Sequence, residues 1–252
     1  MTYTDRELMV IAAAREIGDG ELVFVGMRLP LLAFALAKRT HAPRALGLFE
    51  NGIVRESPAP ETPFTMSDPP NIAGALWSTT TGNIMALLQQ GLVDMGFIGG
   101  AEVDRYGNLN TSYIGDWRRP KVKLPGSGGG GDIASLAKRF VIIMPQEKHR
   151  FRERVDYITS PGYGDGRDWR RKVGLRGGGP SALITTLGVF RFHPETKEAY
   201  LASFHPGQTV DSVRAQTGWD LPLAADVGPT LEPTAAELEI VRTSDPEGFW
   251  TR

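Results

Sequence analysis

The strongest constraint on the fold is a series of short, mostly apolar runs separated by stretches with helical spacing. Leu22-Val23-Phe24-Val25-Gly26, Ala45-Leu46-Gly47-Leu48-Phe49, Leu92 to Ile98 and Phe140-Val141-Ile142-Ile143-Met144 are too short for buried helices. They also lack the strict alternation of a strand with one wet face, so they predict strands covered on both sides. The intervening stretches carry helix signals. Thr4 stands three residues before Glu7 as a capping pair, and Leu8, Ile11 and Ala12 follow at helical spacing up to the Gly18-Asp19-Gly20 turn. Leu31 to Arg39 forms a second helix after Pro30, and Gly82-Asn83 opens a third through Ile84, Leu87 and Leu88. This alternation predicts an open, largely parallel α/β sheet with helices on both faces. In such sheets the chemistry collects at the carboxyl ends of the strands.

Beyond Tyr157 the texture changes. Residues 160–180 are rich in Gly, Pro, Arg and Asp and read as a long ordered loop, so residues 1–252 read as one domain. Leu183 to Phe192 and Ala199 to Phe204, joined across His193-Pro194-Glu195-Thr196-Lys197, predict a hairpin. Asp211 to Thr217 predicts a short helix, and Thr234 with Glu237 caps a C-terminal one.

Composition removes several classes of chemistry. The chain has no cysteine, which excludes disulfides, a thiolate nucleophile and Cys-ligated zinc. Its four histidines, His41, His149, His193 and His205, show no metal spacing, so no metal is expected. A net charge of -1 gives no global attraction for nucleic acid or an anionic membrane. No run of ~18 apolar residues and no secretory leader pattern is present, so a cytoplasmic protein is expected.

Three segments carry candidate chemistry. Glu50 ends an apolar run and enters Asn51-Gly52, a tight turn able to project its carboxylate into a cleft. Leu48, Phe49 and Ile53 would partly desolvate it, which raises nucleophilicity. From periodicity alone, a solvated glutamate in an ordinary turn is the plainer reading. Gly99-Gly100-Ala101 also follows a strand and lets backbone N–H groups approach a ligand oxygen, as an oxyanion donor requires. The next stretch, Asp104 to Asn110, reads as a structural polar turn. Gly126-Ser127-Gly128-Gly129-Gly130-Gly131 precedes a helix-like stretch and lacks both the P-loop ending and the dinucleotide spacing. It reads as a backbone-lined site or a surface loop. The basic runs at Arg118 to Lys123, Lys148 to Arg152 and Arg170 to Lys172 are solvated faces unless one grips an anion.

Six ordered segments together resemble the B subunits of class I CoA-transferases, glutaconate CoA-transferase in particular. They are Val25 to Pro30, Glu50-Asn51-Gly52, Phe97 to Asp104, Tyr106 to Asn110, Gly126 to Gly129 and Val155 to Gly162. The resemblance implies a catalytic subunit that moves CoA from an acyl-CoA to a small acid, a dicarboxylate such as glutaconate among the candidates. It implies Glu50 as the nucleophile, passing through an anhydride to a glutamyl-CoA thioester. Gly99, Gly100 and Ala101 are then the contacts to the CoA ester, and Asn51, Arg28, Gly128 and Gly129 the substrate-binding candidates. No permanently bound cofactor is implied, since the CoA ester is itself a substrate. The implied partner is an A subunit, in a heterotetramer or larger assembly. Relatives on this fold include a ring-cleaving hydrolase and a decarboxylase with Cys in the turn, so a CoA-ester hydrolase or lyase is the alternative. Glu50 and the absence of cysteine favour transfer. Asn51 stands where the glutaconate enzyme has Ser, and Arg28 replaces a small residue.

Overall fold

In the computed structural model, which describes residues 2–252, Thr4 closes the reciprocal cap that its spacing to Glu7 predicts. Its hydroxyl accepts from Glu7 N at 3.1 Å, and its own N–H donates to Glu7 Oε2 at 2.8 Å. The helix so started, α1 (Asp5–Ala14), is buried from Leu8 to Ala14. It lies in the first of two compact units, which takes the chain up to Phe97 and resumes at Glu232. The second unit is Ile98–Leu231.

The first unit continues through β1 (Leu22–Phe24), α2 (Leu29–Arg39), β2 (Leu46–Phe49), β3 (Ile53–Arg55), α3 (Pro69–Ile72), β4 (Trp77–Ser78), α4 (Thr81–Gln89) and β5 (Met95–Ile98). Its strands lie in the order β5-β1-β2-β3-β4. The predicted parallel arrangement holds for β5, β1 and β2, and β3 and β4 extend it as an antiparallel edge. Gly47 sets the packing of α2 on this sheet, because a Cβ there would meet the Phe34 ring at 2.8 Å. The strand predicted from Leu92 starts later, at Met95. Asp94 takes up its entrance, accepting from Leu22 N at 2.8 Å through Oδ2. The C-terminal helix Ala235–Ser244, capped by Thr234 and Glu237 as predicted, packs on α1 and α2. Two ion pairs fasten it there, Arg15 to Glu237 at 2.9 Å and Arg242 to Glu7 at 2.7 Å.

The second unit contains β6 (Glu102–Asp104), β7 (Leu109–Asn110), β8 (Tyr113–Ile114), β9 (Val122–Lys123), α5 (Gly130–Leu136), β10 (Arg139–Ile143), β11 (Phe151–Arg152) and α6 (Trp169–Lys172). It ends with β12 (Pro180–Ile184), β13 (Gly188–Phe192), β14 (Ala199–Phe204), α7 (Val210–Ala215) and β15 (Leu223–Pro229). The main strands run β10-β12-β13-β14-β15, with parallel pairs at each end and antiparallel pairs between. The predicted hairpin forms between β13 and β14, Phe192 facing Ala199. Leu183 and Ile184 belong to a separate strand, because Thr185 Oγ1 accepts from Leu187 N and Gly188 N and turns the chain there. The 160–180 segment is ordered by two buried side chains. Asn108 Oδ1 accepts from Gly162 N and Gly164 N, and Arg170 donates to the carbonyls of Gly177, Pro161, Gly162 and Ala134 at 2.7–3.0 Å. Among the described residues, no helix is long and apolar enough to cross a membrane.

Candidate active site

Glu50 occupies the first position of a three-residue hairpin loop rather than an open strand-to-helix connection. Phe49 pairs with Ile53, and Gly52 N donates to Phe49 O at 3.0 Å across the turn. Gly52 holds φ at 104°, a conformation that closes such loops and that side chains disfavour. A Cβ at that position would lie 2.2 Å from Thr79 O, while Thr79 N donates back to Gly52 O at 2.8 Å. Thr80 next to it caps α4 by accepting from Asn83 N, so the positive end of that helix abuts the turn. The turn is thus clamped on one side by backbone.

The other side is clamped by side chains. Asn51 Nδ2 donates to Met66 O at 2.6 Å, and buried Asn71 donates through Nδ2 to the same carbonyl at 2.7 Å. Rotating either amide would set its oxygen against that carbonyl, so the orientations are fixed. Both Oδ1 atoms are buried without a partner among the described residues. Arg55, 2% exposed, donates to the carbonyls of Ser57, Pro58, Pro70, Asn71 and Ala73 and so ties both ends of the 56–73 segment to β3. Burial pushes its pKa down. Against this bracing the Glu50 carboxylate is half-buried, and no hydrogen bond or ion pair from the described residues engages it.

Arg28 reaches the same end of the first unit. The register Phe24 to Leu48 aligns β1 and β2, and Arg28 and Glu50 leave their respective carboxyl ends. Arg28 has φ at 69°, an uncommon conformation for a residue with a side chain, and its guanidinium lies 5.4 Å from the Trp250 ring centroid.

The remaining candidates lie in the second unit. Gly99 and Gly100 follow β5, and a Cβ at Gly100 would meet Leu109 at 3.0 Å and Glu102 O at 3.1 Å. Ala101 N donates to Asn110 O at 2.9 Å, which commits one of the three amides. Gly128, with φ at 46°, is exposed and Gly129 is buried at the start of α5. The neighbouring Gly130 faces Ser160 Oγ and Ile98, which brings the glycine-rich loop beside the Gly99 segment.

The family model described as coenzyme A transferase matches residues 6–216. Two sequences agree with it along nearly their whole length. The chain is 40% identical over 241 residues to the B subunit of 3-oxoadipate CoA-transferase from Pseudomonas knackmussii, covering 95% of this chain and 92% of the relative. It is 36% identical over 249 residues to the B subunit of glutaconate CoA-transferase from Acidaminococcus fermentans, covering 95% and 91%. The chain belongs to the coenzyme A transferase family. The crystal structure of the Acidaminococcus fermentans glutaconate enzyme superposes with a TM-score of 0.93 at 32% identity, covering 100% of this chain and 98% of that one. The open α/β architecture is that of this CoA-transferase, and the relatives mark the chain as a B-type subunit.

Several residues around the Glu50 turn escaped the sequence reading. Met66 and Thr79 hold the turn, and Arg55 the segment beside it, through contacts 15 to 27 positions apart, and Asn71 shares Met66 O from five positions on; no local pattern encodes these links. One signal was present: Asn51-Gly52 followed by β-branched Ile53 and Val54 is a strong hairpin signature. In the second unit, Asp104 behaves as the structural turn residue expected. Its Oδ1 accepts from Tyr106 N at 3.0 Å and Asn108 N at 3.1 Å. Burial nevertheless pushes its pKa up to about 6.

Proposed function

We propose that this subunit carries the nucleophile of a CoA-transferase that moves CoA from an acyl-CoA to a small dicarboxylic acid. Glu50 is that nucleophile. The supporting observation is the contrast at the turn: a carboxylate engaged by none of the described residues stands on a loop braced from both sides. A free carboxylate on a fixed backbone suits covalent catalysis, where reach and orientation matter more than a base.

The steps balance without water or an external base. A Glu50 oxygen attacks the thioester carbonyl, the C–S bond breaks, and CoA thiolate leaves a mixed anhydride. The thiolate then attacks the Glu50 carbonyl, releasing the first acid as its carboxylate and forming a glutamyl-CoA thioester. The acceptor carboxylate attacks that thioester and expels thiolate, giving a second anhydride. Thiolate attack on the acceptor's acyl carbon forms the new acyl-CoA and returns Glu50 as a carboxylate. Gly99 and Gly100 N–H groups are assigned to the oxyanions by the resemblance, and Ala101 is a less suited donor because its N–H already serves Asn110.

The substrate class rests on the names of the relatives, since 3-oxoadipate and glutaconate are both dicarboxylic acids. Both relatives are B subunits, which supports an A-type partner and an assembly such as a heterotetramer. The reading puts the enzyme in the cytoplasm with its CoA esters.

The test is the assembled enzyme incubated with acyl-CoA and an acceptor acid. Transfer should proceed without net loss of thioester, and borohydride should trap the intermediate at Glu50. Loss of thioester without a new one would favour the hydrolase reading, and full turnover by Glu50→Ala would remove Glu50 from the mechanism.

A further inference from the structure

Arg28 breaks two local rules at once. It holds φ at 69° and ψ at −121°, a conformation that suits glycine and strains a residue with a side chain. It also sets a cation at the N-cap of α2, where the helix dipole is positive and a small polar residue is preferred. The side chain makes no cap bond, and no hydrogen bond or ion pair from the described residues engages it. Strain of this kind points to a function that uses it.

The C-terminal tail, in the same unit, holds the guanidinium in place. Arg28 Cζ lies 5.4 Å from the Trp250 ring centroid. Trp250 packs edge to face on Phe249 at 4.4 Å, and Phe249 on Phe64 at 4.9 Å. Asp245 fixes this platform by accepting from the N–H groups of Phe249, Trp250 and Thr251 at 2.8–3.1 Å and from Thr251 Oγ1 at 3.0 Å. Thr4 Oγ1 then donates to Thr251 O at 2.6 Å. The indole serves as a ring face, since its buried Nε1 has no partner among the described residues. A ring face directs a guanidinium without spending its N–H donors, so they remain available to a ligand.

The place suits the reaction. Strands β1 and β2 are parallel neighbours about 4.8 Å apart, joined by Val25 N to Leu48 O at 2.8 Å. Arg28 follows that bond by three residues and Glu50 by two, both within the first unit. At the far end of the aromatic chain, Phe64 stands two residues before Met66, whose carbonyl holds Asn51 beside Glu50.

We propose that Arg28 binds the carboxylate of the dicarboxylic acid that does not react, and that Trp250 is the residue that positions it. The proposal rests on the reading of Glu50 as the nucleophile of a CoA-transferase acting on such acids. The planar fork of arginine fits a carboxylate with two parallel hydrogen bonds.

The experiment uses the assembled enzyme with acetyl-CoA as donor and two acceptors of equal length, adipate and hexanoate. The ratio of kcat/KM for adipate over hexanoate should fall about tenfold or more in Arg28→Met, the worth of a hydrogen bond to a charged group. It should fall about two- to fivefold in Trp250→Leu, the worth of an exposed cation–π contact, and largely return in Trp250→Phe, which keeps a ring face. Arg28→Met combined with Trp250→Leu should fall no further than Arg28→Met alone, because the indole acts only through the guanidinium. Arg28→Gly should lose the same selectivity yet unfold at the wild-type temperature or above, since it relieves the backbone. An unchanged ratio in Arg28→Met overturns the carboxylate assignment, and Trp250→Leu slowing both acceptors alike overturns the positioning role. If Arg28→Met slows both acceptors alike with acetyl-CoA and neither with acetyl-pantetheine, the guanidinium serves phosphate and the assignment fails. Should the wild type transfer CoA to neither acid, calorimetry still decides: adipate binding lost in Arg28→Met upholds the site, and equal binding overturns it, so the two readings fail separately.

Discussion

Replacing Gly52 with alanine tests whether the backbone clamp on the Glu50 turn is as tight as its geometry implies. Two penalties act there. The φ of 104° is disfavoured once a Cβ is present, which costs about 1–2 kcal/mol. The new Cβ would also lie 2.2 Å from Thr79 O and 2.7 Å from its carbon, and these backbone atoms move only if β4 moves. Overpacking of this kind adds about 1–3 kcal/mol. Gly91 supplies the control, with φ at 73° and nothing within 4 Å of where an alanine methyl would sit. Gly91→Ala should therefore cost about 1–2 kcal/mol, and Gly52→Ala about 2–5 kcal/mol. Thermal unfolding of the purified chain reads the difference, roughly 4–20 °C for Gly52→Ala against roughly 2–8 °C for Gly91→Ala. Activity separates them further. A displacement of about 1 Å at Glu50, two residues away, should cost transfer about 100-fold, and Gly91→Ala should keep it. Equal destabilisation by the two substitutions, with transfer intact in both, would refute the clamp.

Asn51→Asp should lose the donor to Met66 O and set a carboxylate against that carbonyl, destabilising the chain by about 1–3 kcal/mol in urea titrations and lowering kcat more than KM changes. Asp104 gives a pH dependence. Its folded pKa of about 6 exceeds the unfolded value, so its contribution is greatest at low pH and is lost as pH rises through about 6. Relative to Asp104→Asn, the wild type should lose about 2–3 kcal/mol of stability between pH 4 and pH 7; a gain instead would mean that the N–H groups around Asp104 outweigh its burial. Arg170→Met would leave the carbonyls of Ala134, Pro161, Gly162 and Gly177 without their donor, at a cost of about 3 kcal/mol or more. Amide hydrogen exchange should then accelerate across 160–180 ahead of the sheet.

The elements read most directly from sequence are those whose cause is local. Thr4 with Glu7 and Thr234 with Glu237 start helices because a side chain reaches an N–H three residues away. The apolar runs at Leu46 to Phe49 and Phe140 to Ile143 are strands because only a doubly covered position accepts every side chain as apolar. The Asp104 turn is legible for the same reason, its side chain bonding N–H groups two and four residues on. Edges and breaks were harder to read. Strands β4, β8, β9 and β15 are short or partly exposed, and little in their composition sets them apart from loops.

Glu50 shows where each kind of information stops. Its residue type, its place after an apolar run and its Asn-Gly neighbours are fixed along the chain, and they suffice to nominate it. That its turn closes back as a hairpin, lies under Thr79 and is pinned by Asn51 to Met66 depends on residues brought together only by packing. The same holds for the basic runs, of which Lys121, Arg150 and Arg152 come to line one cleft. Charges along a chain show their number, whereas the distance to the nearest acid, which decides whether a cation is spent or idle, is set by tertiary structure.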